Sequence, residues 1–208
     1  MSNILTSPGD YKNLLAYHKA MCVFDGTIYF TRRFYRDGDR TIGQMQQAAR
    51  SGKQNIIEGN VDGATSTYSN MHLLNIALGS LDELKEDFED YIRVNGLQRW
   101  DLDSAKCIQA RKVCAKHNEP DYYLEAFEKR SAETIANIMI VVIMQCITLT
   151  GHLLASKKKN FLENGGKKEE LYRARVDYRA SRSYQSYETS RQAHDPATPY
   201  GFQDQLPY

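Results

Sequence analysis

The stretch Leu73 to Leu84 reads Leu-Leu-Asn-Ile-Ala-Leu-Gly-Ser-Leu-Asp-Glu-Leu. Read as the middle of a long helix, it carries two adjoining stripes. Met71, Leu74, Leu78 and Leu81 recur at helical spacing along one of them. Leu73, Ala77, Ser80, Leu84, Phe88 and Tyr91 line the other. A helix with two apolar or small-residue stripes has to bury both, so it needs neighbours on two sides. That is the interior geometry of a helix bundle. Asp82, Glu83, Glu86, Asp87 and Glu89 are left for the outer surface.

The flanking segments supply such neighbours. Ser7-Pro8-Gly9-Asp10 is a helix start, with Ser7 as cap and Pro8 at the first helical position. From there Leu14, Tyr17, Met21, Phe24, Ile28, Thr31 and Tyr35 step by three and four, a seam of the four-helix type. Asp37-Gly38-Asp39 then breaks the helix as a turn. A second helix is expected from Thr41 to about Asn60, with Met45, Ala48 or Ala49, Gly52, Ile56 and Gly59 on its inward stripe. The glycines cost helix propensity but permit close approach of a neighbouring helix. Asn55 and Glu58 lie close to that stripe. A buried Glu58 needs a hydrogen bond or an ion pair, with Arg50 or Lys53 at hand.

The central helix is expected to start at a cap formed by Thr65, Ser66 or Thr67, and Asn95-Gly96 ends it. Trp100 to Glu119 holds a shorter helical stretch, capped by Asp101 or Asp103, which reads as an elaborated connection. A fourth long helix is expected to run unbroken from Pro120-Asp121 to about Asn160 or Glu163. Its seam includes Ile135, Ile138 or Met139, Val142, Cys146, Leu149 and Leu153. Ile140, Val141 and Ile143 lie on its other faces, so in a single chain one face would meet water. A sister subunit covering that face is the remedy, and this is the sequence argument for a homo-oligomer.

Part of this helix also matches the length of a membrane span. Ile135 to Ala155 is 21 residues without Asp, Glu, Lys or Arg, enough to cross a bilayer. Asn137, Gln145, Thr148, Thr150 and His152 are costly facing lipid, so burial inside protein is the favoured reading. No membrane partner is expected. The four cysteines, Cys22, Cys107, Cys114 and Cys146, form no CxxC pair. With no signal pattern at the N-terminus, reduced thiols in a cytoplasm are the simplest reading. Cys107, Cys114 and His117 could share a helix face, and His18 and Cys22 are four apart, but neither set offers four ligands. No metal and no cofactor is expected.

Twenty-seven basic residues stand against 26 acidic ones, a net charge of +1. The chain as a whole is therefore not driven toward nucleic acid. Cations cluster locally, however. Arg32, Arg33, Arg36 and Arg40 gather at the end of the first helix, where a solvated C-terminus is the plainer reading and a phosphate site the sharper one. Beyond Asn164-Gly165-Gly166, residues Lys167 to about Arg191 are expected to be helical and polar. There Tyr172, Tyr178, Tyr184 and Tyr187 interleave with Arg173, Arg175, Arg179, Arg182 and Arg191. From Leu171 to Arg191 five Arg stand against Asp177 and Glu188, a local charge of +3. Arg with Tyr suits phosphate contact and base stacking; packing on a sister subunit is the plainer alternative. The chain divides accordingly into a helical domain at 7–163, a polar Arg/Tyr-rich helical extension at 164–195 and a flexible tail at 196–208.

Two motifs carry a resemblance. Gln44 to Gly59, ending Asn55-Ile56-Ile57-Glu58-Gly59, is similar to the Ala-Ala…Ser…Asn-Ile-Ala-Glu-Gly motif of the bacterial four-helix bundle family of ribosomal-RNA intervening-sequence proteins. Leu74 to Leu84 resembles that family's second motif, at the family's spacing. The likeness covers roughly residues 10–155. It implies an up-down bundle of four long helices, assembled as a cyclic homopentamer with a central channel and without enzymatic activity. Related proteins serve as accessory subunits of diversity-generating retroelements and bind a reverse transcriptase and nucleic acid through a basic surface. Gln46-Gln47 stand where the family often has arginines, and Gly52-Lys53-Gln54 replaces its apolar-x-serine. The connection from Leu97 to Pro120 and the chain beyond Lys157 have no counterpart.

The expectation is thus an all-α, up-down four-helix bundle with an extra short helix in the third connection and a helical C-terminal extension. It is a non-catalytic, oligomeric scaffold that binds RNA or a nucleic-acid-processing partner. The alternative is a protein-protein interaction module with no nucleic-acid role. Candidate contacts are Arg32, Arg33, Arg36, Arg40, Arg50 and Lys53, joined by Arg173, Arg175, Arg179 and Arg182. Asn55 and Glu58 are structural polar residues. No Gly-rich phosphate loop or nucleophile elbow is present, and a catalytic Glu58 would need a second acid, a His or a metal set nearby.

Overall fold

Each long apolar stripe has become a helix, and the helices meet as pairs. The computed structural model of the protein describes residues 14–60 and 67–193. The expected caps at Ser7 and at Thr65 or Ser66, and the tail from Pro196, lie outside those residues. The described chain is all-α, with seven helices and no strand among the described residues. They are α1 (Leu15–Phe34), α2 (Arg40–Glu58), α3 (Thr67–Val94), α4 (Ala105–Cys114), α5 (Pro120–Phe127), α6 (Ala132–Asn164) and α7 (Lys167–Ala193). The chain divides into two compact units between Gly166 and Lys167. In the first unit α1 packs on α2 and α6, and α3 packs on the same two helices, so four long helices close a circuit around one core.

The buried stripe of α1 shares only Thr31 with the expected seam. Ala16, Lys19, Ala20, Val23, Gly26, Thr27 and Phe30 are buried, whereas Tyr17, Met21, Phe24 and Ile28 are half-buried on its flanks. Small side chains occupy the line of closest approach, and the bulky ones pack beside it. In α2 the expected stripe holds: Met45, Ala48, Ala49, Gly52 and Ile56 are buried. Asp39, read as part of the turn, caps this helix by accepting a hydrogen bond from Thr41 N at 2.8 Å. Gly59 lies so close to α3 that a Cβ there would stand 3.0 Å from the Asn70 backbone oxygen and 2.9 Å from Leu74 Cγ. On α3 the two stripes merge into one buried row, Leu74, Ala77, Leu81, Leu84, Phe88 and Ile92. Gly96, with φ at +64°, ends it.

The third connection departs furthest from expectation. It contains two short helices, not one. α4 is capped by Ser104, whose Oγ accepts from Cys107 N at 3.3 Å, and not by Asp101 or Asp103. The long helix expected from Pro120 is broken, because Ser131 adopts extended backbone and caps α6 from its own side chain. A fully buried Asn137 straps the connection to α6. Its Oδ1 accepts from Trp100 N at 2.8 Å, and its Nδ2 donates to Gln98 O and Glu133 O, both at 2.9 Å. Every hydrogen-bonding position of that amide is used, which is how a polar side chain is accommodated in a core.

The upper faces of α6 are largely covered within the chain, while Met144 stays 38% exposed and Ile138, Ile147, Leu149 and Leu153 are half-buried. Ile135, Met139, Ile140, Val142, Ile143 and Cys146 are each 0% exposed, enclosed by α1, α3 and α4 of the same chain. The extra helix α4 of the third connection supplies part of that cover. By length and composition alone α6 holds a stretch apolar enough to cross a membrane, the one such stretch among the described residues, and 39% of it is buried in the chain.

Candidate functional site

The sequence-predicted cations do not converge on one patch of the first unit. Arg33 is drawn toward α5: its guanidinium donates to Phe127 O at 2.9 Å and to the Tyr29 hydroxyl, and it stands 5.2 Å from the Phe34 ring centre. Arg32 and Arg33 border a depression that also holds Asp25, a poor neighbour for a phosphate. Burial raises the Asp25 carboxyl above its ordinary range, and Lys53 acts against that shift. Lys53 is half-buried, with its ammonium 3.9 Å from the Phe24 ring centre. Arg40 lines a surface depression with Glu83 on the far wall. Arg36 and Arg50 are exposed.

Asn55 and Glu58 separate. Asn55 Nδ2 donates to Ser51 O at 2.9 Å and Ser51 Oγ at 3.2 Å, and Ser51 Oγ meets Ser80 Oγ at 2.9 Å. The two motif helices are thus joined by a small polar latch. Glu58 is exposed and accepts only from Gln54 Nε2, at 3.1 Å, among its described contacts. The expected buried carboxylate paired with Arg50 or Lys53 is therefore corrected. Two residues past the buried Ile56, Glu58 is turned to the opposite side of α2. Gln46 donates to Thr31 Oγ1 at 2.9 Å and is spent between α1 and α2.

The most enclosed cation was not singled out by its sequence context. Lys19 is 1% exposed. Its ammonium donates to Cys114 O at 2.5 Å, to His117 O at 2.8 Å and to the Tyr123 hydroxyl oxygen at 3.4 Å. The Tyr123 hydroxyl in turn donates to His117 O at 2.8 Å. The ammonium sits on the last carbonyl of α4, that of Cys114, where the helix dipole favours a positive charge. Burial holds its amine below the usual lysine range, while nearby Cys22 and Cys114 act against that shift. All three donors are engaged, so Lys19 is a clamp between α1, α4 and α5. The available signal was the spacing Ala16, Lys19, Ala20, Val23, a stripe defined by small residues that large apolar ones overshadowed. The four cysteines are free and buried. Burial pushes the Cys22 and Cys146 thiols up to about 12. No group of three or more His, Cys, Asp or Glu among the described residues could hold a metal ion.

α7 is of another kind. From Glu169 to Gln185 every side chain except Ala174 is exposed. Tyr172, Arg175, Arg179 and Arg182 are separated by three, four and three residues, so they stack along one face. Tyr178 adjoins Arg175 and Arg182 at the same spacings. Arg173 falls on the other side, nearer Glu169 and Glu170. Arg175, Arg179 and Arg182 enter no ion pair among the described residues.

Compared with family models, with curated proteins and with solved structures, the chain finds no match. No family is assigned by these comparisons.

Proposed function

We propose that the protein is a non-catalytic helical scaffold that binds RNA through the Arg175–Arg179–Arg182 face of α7. The observation that carries this reading is the contrast in how cations are held. Of the candidate cations of the first unit, Arg33 and Lys53 are bonded or stacked, Arg32 and Arg40 are set beside acids, and Arg36 and Arg50 stand singly on the surface, whereas these three lie on one exposed face with Tyr172 and Tyr178 among them. Guanidinium groups aligned at helical spacing suit successive phosphates, and the phenol rings suit unstacked bases. The first unit then serves as an up-down four-helix bundle, the architecture implied by the resemblance of Gln44–Gly59 and Leu74–Leu84 to the intervening-sequence proteins. The pairing of α1, α2, α3 and α6 around one core supports it. Assembly as a homopentamer in the cytoplasm, with no membrane partner and no cofactor, rests on the resemblance and on the reading of composition.

Filter binding against a structured RNA with single-stranded loops, at two salt concentrations, tests the assignment. Three phosphate contacts on single-stranded RNA give a log–log salt slope of about −2. Reversing charge in R175E/R179E/R182E is expected to abolish salt-sensitive binding, while R32E/R36E leaves most of it. Binding unaffected by the α7 triple variant would move the contact elsewhere. Absence of RNA binding, together with capture of a protein that deletion of residues 167–208 abolishes, would favour the protein-interaction module. Light scattering decides assembly: a particle of 23.9 kDa is a single chain.

A further inference from the structure

A cleft of about 320 Å3 lies where α5 and the start of α6 meet the side of α4 that carries Lys106, Ala110 and Val113. Those three residues are four and three apart, so they share one face of the helix. The volume is at the lower end of the range for small-molecule sites. Four aromatic rings line the cleft, those of Trp100, Tyr122, Tyr123 and Phe127. Two cations line it as well, Lys106 from α4 and Arg130 from the turn before α6, and no Asp or Glu does.

The rings are held in place by protein contacts. His117, which does not line the cleft, lies flat on one face of the Tyr122 ring, with centres 3.6 Å apart and planes at 3°. A further ring can therefore stack only on the other face. Tyr123 stands edge-on to Tyr122 at 5.5 Å and 89°, and its hydroxyl is spent on His117 O at 2.8 Å. A platform ordered in advance costs little to bind, and flat rings attract one another beyond the area they bury. The cations have donors to spare. Lys106 is exposed and enters no hydrogen bond or ion pair among the described residues. Arg130 gives one N–H to Ala126 O, which leaves four of its five donors. Burial raises the Cys114 thiol, which also lines the cleft, and the Arg130 charge is among those acting against that rise. The guanidinium charge is thus felt at the cleft wall. A lining of one Lys, one Arg and no acid rejects cations and leaves a monocarboxylate one charge short. A phosphate monoester carries about −1.5 to −2 at pH 7 and brings three acceptors, so it matches both groups.

We propose that the aromatic cleft between α4 and α5 binds a nucleoside 5′-monophosphate. Its base stacks on the free face of Tyr122, and its phosphate is met by Lys106 and Arg130. The site lies in the first unit and does not depend on the RNA reading.

Isothermal titration of the full chain with adenosine 5′-monophosphate (AMP) tests the proposal. One-to-one saturable binding is expected. Adenosine lacks the phosphate and ribose 5-phosphate lacks the ring, so each should bind about tenfold more weakly. Tyr122→Leu should weaken AMP about tenfold and leave ribose 5-phosphate as it was. Lys106 has no partner to lose, so Lys106→Glu should keep the circular dichroism spectrum, weaken AMP about tenfold and leave adenosine unchanged. Absence of saturable heat, inorganic phosphate binding as tightly as AMP, or AMP binding untouched by Lys106→Glu would each overturn the assignment. Equal weakening of AMP and adenosine in Lys106→Glu would overturn the placing of the phosphate, and the proposal with it.

Discussion

The two units of this chain put basic side chains to opposite use. Before Gly166 several cations are enclosed or occupied. Lys19 closes the end of α4, Lys53 lies over Phe24, Arg33 reaches the last carbonyl of α5, and Arg99 pairs with Glu89 at 3.5 Å. After Lys167, Arg175, Arg179 and Arg182 line an exposed face. A desolvated ammonium depends on the geometry of its acceptors and is nearly blind to salt, whereas an exposed guanidinium depends on salt and on what arrives from solution. Counting arginines along a sequence conflates the two. The cluster Arg32, Arg33 and Arg36 is dense in sequence, yet Arg33 is committed to the fold and shares with Arg32 a depression that contains Asp25, which leaves Arg36 alone on the surface.

Lys19 offers the largest test of this contrast. Lys19→Ala removes a buried side chain and takes the charged donor from Cys114 O and His117 O, leaving them the Tyr123 hydroxyl alone to share. A loss of about 3 kcal/mol in urea unfolding is expected. Lys19→Met keeps most of the volume and should still cost about 2 kcal/mol. Neither loss should change between low and high salt. A neutral Lys19→Met would mean that the clamp contributes packing alone.

Alkaline pH probes the same enclosed region. The Cys22 and Cys146 thiols are pushed up to about 12 from an ordinary 9.0, so the unfolded chain releases those protons first. Stability from these groups is complete below pH 9 and is lost as pH climbs toward 12. Lys19 has the opposite sign: its amine is held below 10.5 in the fold, so the unfolded chain binds the proton more tightly and stability from this group rises with pH up to 10.5. Two thiols outweigh one amine. Urea midpoints are expected to fall between pH 9 and 11, and Cys22→Ala with Cys146→Ala should flatten that fall. An equally steep decline in the double variant would assign it to the buried tyrosines.

Much of the helical framework was legible because burial is periodic. The α2 stripe and the stops at Gly96 and Gly165 follow from residues whose local preference agrees with the fold. What could not be read is set by partners distant in sequence. Lys19 contacts Cys114 and Tyr123, about a hundred positions away, and nothing local marks it as buried. The break before α6 was hidden because Lys129-Arg130-Ser131 fits a helix interior until Ser131 turns out as a cap. The cover that α4 gives α6 was hidden for a related cause. α4 is a weakly amphipathic segment, so its role as a lid on α6 depends on the Lys19 clamp and on the Asn137 strap. Of the candidate sites, the α7 arginines were visible and the Lys19 clamp was not, because its acceptors lie on α4, on α5 and on the connection between them.

Arg33 is an intermediate case that sharpens the boundary. It is exposed, yet its guanidinium joins α1 to the end of α5 through Phe127 O. Arg33→Ala is expected to cost about 1 kcal/mol, and Arg33→Lys should recover only part of it, since a single ammonium cannot span Phe127 O and the Tyr29 hydroxyl with the same fork. Equal stability of Arg33→Ala and wild type would place Arg33 with the α7 group.

The smallest effect on stability belongs to R175A/R179A/R182A. These side chains are exposed and bury no apolar area of consequence, so the change should stay within about 0.5 kcal/mol. Alanine's higher helix propensity makes even a slight gain reasonable. The same variant should lose most salt-sensitive RNA binding, so the two measurements move independently. That independence is the point: for Lys19 a functional loss would be inseparable from unfolding, whereas on α7 it is not. A triple variant that destabilises the chain by more than 1 kcal/mol would show these arginines to be engaged by protein, and the division between enclosed and presented charge would fail at α7.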